Sequence, residues 1–93
     1  ANQKVADYRD RTMKAKSQVD GALADLRTVA DRNQNAIDTV QQHLDASSLP
    51  ADSPVRADIE NRVLAPLQER NDALQQSISS LQTASDWAGR CFR

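Results

Sequence analysis

The stretch Ser47-Ser48-Leu49-Pro50-Ala51-Asp52-Ser53-Pro54 decides how this chain folds. It holds two of the three prolines among small and polar residues. Proline removes a backbone donor and clashes with the preceding helical turn, so a helix arriving here must end. Ser53 followed by Pro54 then reads as a fresh start, with serine as N-cap and proline at the first helical position. Outward from this break, Ala, Gln, Leu, Asp and Arg dominate, and no β-branched or aromatic run of strand length interrupts them. That composition favours helix on both sides. The reading is a single all-α domain over residues 1–93: helix 1 over about 3–46, a linker over 47–53 and helix 2 over about 54–90.

Both segments carry a seven-residue apolar repeat. In the first, Val5, Thr12, Val19, Leu26, Asn33 and Val40 share one heptad position, a. Tyr8, Ala15, Ala22, Val29 and Ala36 share the d position three residues on, and Leu23, Ala30, Ile37 and Leu44 widen this seam on the e side. Some forty residues at about 1.5 Å each make a rod roughly 60 Å long. In the second, Leu67, Leu74, Leu81 and Ala88 occupy d, while Leu64, Asn71, Ile78, Ser85 and Phe92 occupy a. Ile59 and Val63 lie off this register, just before Pro66, so a break or kink is expected near 65–66.

Neither helix buries its stripe alone. A short linker lets the two close into an antiparallel hairpin, a two-helix coiled coil. Many seam positions are alanine or polar, which leaves a thin core. Pairing of two hairpins into a four-helix homodimer supplies the missing burial.

Charge and composition narrow the function. Twelve Lys and Arg oppose thirteen Asp and Glu, a net charge of -1, so no basic footprint for nucleic acid is present. No apolar run is long enough to span a bilayer, and no signal-peptide pattern opens the chain. Two glycines provide no phosphate-cradling loop. His43 is the sole histidine, at the end of helix 1 where a positive ring suits the helix dipole, and it has no partner for metal or nucleophilic chemistry. Paired carboxylates such as Asp7/Asp10 and Asp58/Glu60 lie on solvated faces that do not raise a pKa. Neither catalysis nor a cofactor or metal is expected. The chain opens with Ala1 rather than methionine, which implies a processed or trimmed chain and leaves an upstream segment open.

The residues singled out for function are therefore those of an interaction protein. Asn33 and Asn71 fall on a positions, where a buried asparagine gives up stability but sets register and oligomeric state. Tyr8, Trp87 and Phe92 are all the aromatics, and a hairpin gathers them at its open end, as a plug or as a contact patch for a partner. Cys91 is the only cysteine, which excludes an internal disulfide and leaves an intermolecular bridge or a free thiol. Lys4, Lys14 and Lys16, with Arg9 and Arg11, make the open end mildly basic.

Two heptad helices, a proline-containing interruption and a cysteine just before the end form a pattern that resembles the inner-membrane spanins of tailed phages, which join inner and outer membranes during host lysis. The stretches that carry the resemblance are Tyr8-Arg9-Asp10, Ser53-Pro54-Val55-Arg56-Ala57-Asp58, Leu67-Gln68-Glu69-Arg70 and Cys91. It implies a periplasmic domain behind an N-terminal anchor, homodimers linked through Cys91 and an outer-membrane lipoprotein partner. Two other readings of the same helices stay open: a cytoplasmic adaptor or secretion chaperone, and a secreted helical-hairpin protein.

Overall fold

The computed structural model describes residues 2–91, and no strand occurs among them. The chain is all-helical: α1 (Asn2–Ala46), α2 (Pro54–Ile59), a π turn (Glu60–Leu64) and α3 (Ala65–Arg90). Phe92 lies outside the described residues.

Good helix formers carry α1, together with ion pairs one turn apart. Lys14 meets Asp10 at 3.2 Å and Lys16 meets Asp20 at 2.7 Å. Exposed pairs of this kind contribute a few tenths of a kcal/mol each, about 0.3–0.5, so they tune the helix rather than hold it. The helix ends where its last carbonyls find other donors. The Leu44 carbonyl accepts from the Ser47 hydroxyl at 2.7 Å and from Arg56 Nη2 at 3.0 Å. Arg56 Nη2 also reaches the Leu49 carbonyl, at 3.5 Å. One guanidinium thus supplies both hydrogen bonds and positive charge to the negative end of α1.

Ser53 caps α2, its hydroxyl accepting from the Val55 N–H at 3.2 Å, with Pro54 just inside the helix. The irregularity expected near Pro66 takes the form of the π turn before it, closed by the Ala65 N–H bonding back five residues to the Glu60 carbonyl. Pro66 has no N–H for the carbonyl four residues earlier, and a wider turn moves that carbonyl away from the ring. A π turn also inserts one residue into the helical phase. Ahead of it the inward positions are Arg56 and Ile59, both half-buried, while Ala57 and Glu60 are exposed. The off-register placement of Ile59 in the sequence is this insertion.

The chain divides into two compact units. One comprises Ala1–Arg27 with Gln76–Arg93, the other Thr28–Gln75. In the second, Leu44 meets Arg56 and Asn33 meets Leu67, so α1 and the following helical segment run in opposite directions. In the first, Arg27 meets Gln82 and Asp20 meets Ser85, again antiparallel.

Burial on α1 differs from the expected seam. Leu23, Ala30, Ile37 and Leu44 are buried, whereas Tyr8, Ala15, Ala22 and Val29 are exposed and only Ala36 of that row is half-buried. The inward set from Thr12 to Ser47 is Thr12, Lys16, Val19, Leu23, Leu26, Ala30, Asn33, Ile37, Val40, Leu44 and Ser47, spaced alternately by four and three. Side-chain size explains the rotation. Leucine and isoleucine bury more apolar surface than alanine, at about 0.8 kcal/mol per methylene, so the e row turns inward and the alanine-rich d row outward. From Leu64 at the end of the π turn and along α3, the expected inward residues, Leu67 to Ser85 and Ala88, are all buried or half-buried.

Two neighbouring substitutions test this rotation. Leu23→Ala should lower unfolding stability by about 2–3 kcal/mol, since Leu23 is 3% exposed. Gly21→Ala should raise it by about 0.5–1 kcal/mol, because an added Cβ meets nothing within 4 Å. Denaturant titration of both variants checks the pair, and a reversed order would contradict the placement.

Candidate functional site

Each unit presents one polar face and one apolar face. In the first unit, the Ser85 hydroxyl donates to Asp20 Oδ1, Lys16 Nζ donates to Asp20 Oδ2 at 2.7 Å, and Arg27 Nη2 donates to Gln82 Oε1 at 2.6 Å. Ser85 is 5% exposed, and a hydroxyl in a helix seam needs such a partner. The Lys16 ammonium first, and the Ser85 hydroxyl second, hold the Asp20 carboxyl below its ordinary value of 3.8.

In the second unit, Asn33 is 7% exposed and its Nδ2 donates to the Leu67 carbonyl at 2.9 Å. Asn71 Nδ2 sits 3.5 Å from Gln34 Oε1, and Asn71 Oδ1 is buried without a hydrogen-bond partner. The two asparagines anticipated as register residues therefore lie in one unit but bond to each other's neighbours, with Leu67 one turn before Asn71.

The opposite faces are apolar. In the first unit, Tyr8, Thr12, Ala15, Val19, Ala84 and Trp87 line an open groove of about 470 Å³, bordered by Arg11 and Lys16. Tyr8 is 64% exposed and Trp87 59%, so the structure brings these two members of the anticipated aromatic patch to one groove. The third member, Phe92, is outside the described residues. In the second unit, Val40, Leu44, Leu49, Ile59 and Val63 line a groove of about 220 Å³, with His43 and Ser47 at its edge. A further one joins Val29, Ala36 and Leu67 between Arg32 and Arg70.

Cys91 is an exposed free thiol. Among the described residues, no group of three or more His, Cys, Asp or Glu converges as a metal site, and no helix is long and apolar enough to cross a membrane. Comparison with known proteins matches no family model, no curated protein and no solved structure.

Sequence reasoning missed the polar partners: Arg56 at the end of α1, and the Asp20–Ser85 and Arg27–Gln82 pairs. One signal was present, because Ser85 stands at a seam position and a buried hydroxyl implies an acceptor opposite. The identity of that acceptor depends on how the helices are staggered, which periodicity does not specify.

The Asp20 contacts carry a pH signature. A carboxyl lowered in the folded state stabilises the fold above its ordinary pKa, and that contribution disappears as pH falls through the lowered value. Asp20→Asn should therefore melt below the parent at pH 7, and the gap should close as pH falls below the ordinary carboxyl value of 3.8. Melting curves across that range check it, and a gap independent of pH would contradict it.

Proposed function

We propose that the chain is a non-enzymatic helical protein that works by associating with itself and by binding another protein. In this reading α1 and the α2–α3 segment close into an antiparallel coiled-coil hairpin, and two hairpins pair into a four-helix homodimer. The observation that supports it best is the apolar row left exposed within each unit. The rows left outside, Tyr8, Ala15, Ala22 and Val29, are apolar, and packing them removes apolar area from water.

Roles follow from the same reading. Asn33 and Asn71 act as register residues, Tyr8, Trp87 and Phe92 as the contact patch, and Cys91 as the intermolecular bridge. The resemblance to inner-membrane spanins gives the reading its most concrete form: a periplasmic domain in an envelope-spanning lysis complex, held by an N-terminal anchor and joined to an outer-membrane lipoprotein.

Light scattering should return twice the chain mass of 10.3 kDa, and a monomer at all concentrations would contradict the proposal. Non-reducing electrophoresis of protein secreted to an oxidising compartment should show a dimer band that Cys91→Ser abolishes. A band unaffected by Cys91→Ser would remove the bridge.

A further inference from the structure

The first unit gathers the large apolar side chains that the described residues expose most: Val5 at 66%, Tyr8 at 64% and Trp87 at 59%. Tyr8 and Trp87 border the open groove, and Val5 lies three residues before Tyr8, on the same face of α1. Cations share that face. Arg11 lines the groove, and Lys4 lies one turn before Tyr8, both of them exposed. Lys16 also lines it and pairs with Asp20 at 2.7 Å, which leaves the outward charge of the face to Lys4 and Arg11. Carboxylates are kept aside. Asp10 stands two residues after Tyr8 and Asp86 one before Trp87, on other rows, and Asp7, one turn from Arg11, does not line the groove. The unit as a whole carries eight Lys and Arg against five Asp and Glu, or +3.

That combination selects the occupant. Tyrosine and tryptophan carry a polar tip on an apolar ring and settle where hydrocarbon meets water. Lysine and arginine lay their methylene stems along apolar surface while the charged head reaches an anion. Between the two rings the lining is Ala15, Ala84 and Ala88, small side chains that form no shaped slot for one residue of a protein partner. Fluid acyl chains fill such a surface whatever its shape, and a positive unit is drawn to negative headgroups.

We propose that this face of the first unit docks on an anionic bilayer surface, with Val5, Tyr8 and Trp87 in the headgroup layer and Lys4 and Arg11 against lipid phosphates. The proposal rests on the reading above only for Tyr8 and Trp87 as a contact patch, and names what that patch meets. It involves the first unit alone and does not depend on self-association.

Trp87 is the only tryptophan, which makes its fluorescence a reporter of this contact. The intact protein is titrated with vesicles of phosphatidylcholine alone, and with vesicles mixing phosphatidylcholine and phosphatidylglycerol in equal parts. Co-sedimentation and light scattering are measured alongside. The expected result is a blue shift and co-sedimentation with the anionic vesicles, weak binding to the neutral ones and release at high salt. Lys4→Glu combined with Arg11→Glu should lower the partition coefficient at least about tenfold. Trp87→Ala, followed by sedimentation, should lower it at least about fivefold and serves if the double variant loses helicity by circular dichroism. Arg32→Glu combined with Arg70→Glu makes the same charge change at exposed positions of the second unit and should lower it by less than about threefold. Equal loss in the two double variants assigns binding to net charge and overturns the proposal. Emission that stays unmoved with anionic vesicles overturns it too, as does an equal shift on adding polyglutamate, which gives the face to an acidic polypeptide. A blue shift that accompanies dimerisation without lipid gives the face to a second copy, leaving self-association standing and this docking overturned. A monomer that binds the anionic vesicles as expected removes self-association and keeps this docking.

Discussion

Within each unit the inward side chains of α1 are covered only by the helical segment opposite, and that limited cover is the constraint on which the rest depends. Inward residues alternate at three and four along α1, and the same alternation runs along α3. Among the described residues no side chain is wholly shielded, and the buried apolar ones are Leu23, Ala30, Ile37, Leu44, Leu64 and Ala88. A core this thin gains little from burial compared with a globular domain of similar length. Asn33 and Ser85 make it thinner still, since each inward polar group is compensated only by its specific partner across the seam. The polar contacts settle how the helices align more than how tightly they hold.

The second helical segment shows how a local defect is absorbed. Pro66 cannot complete an α-helical ladder, and the π turn ahead of it admits one extra residue. That extra residue rotates Arg56 and Ile59 inward. Arg56 then reaches the exposed carbonyl end of α1 at Leu44 and Leu49. Proline, phase and helix capping are thus linked: a proline at position 66 sets which residue upstream can cap the other helix.

Much of this was legible before any coordinates. The Ser53–Pro54 start, the end of α1 at Ala46 and the inward row of α3 follow from capping chemistry and heptad counting. The weighting of the α1 seam did not follow, because Tyr8 and the alanines at d score as apolar just as the larger e residues do. Volume decides between them, and volume matters only once a second helix is present. The partners of Asp20, Arg27 and Asn33 were hidden for a related reason. They depend on the axial stagger of the facing helices, which a seven-residue periodicity does not specify. The aromatic residues were legible as a group, yet only the fold pairs Tyr8 with Trp87 along one groove.

The orientation of α1 is the claim that carries the rest, since it decides which row meets the neighbouring helix and which remains for a partner. Thiol reactivity measures it directly. Single cysteines placed in turn from Ala22 to Leu44, in a Cys91→Ser background and at dilution, should react slowly at Leu23, Leu26, Ala30, Asn33, Ile37, Val40 and Leu44 and fast at Ala22 and Val29. Protection at Ala22 and Val29 with rapid reaction at Leu23, Ala30 and Ile37 would contradict the account.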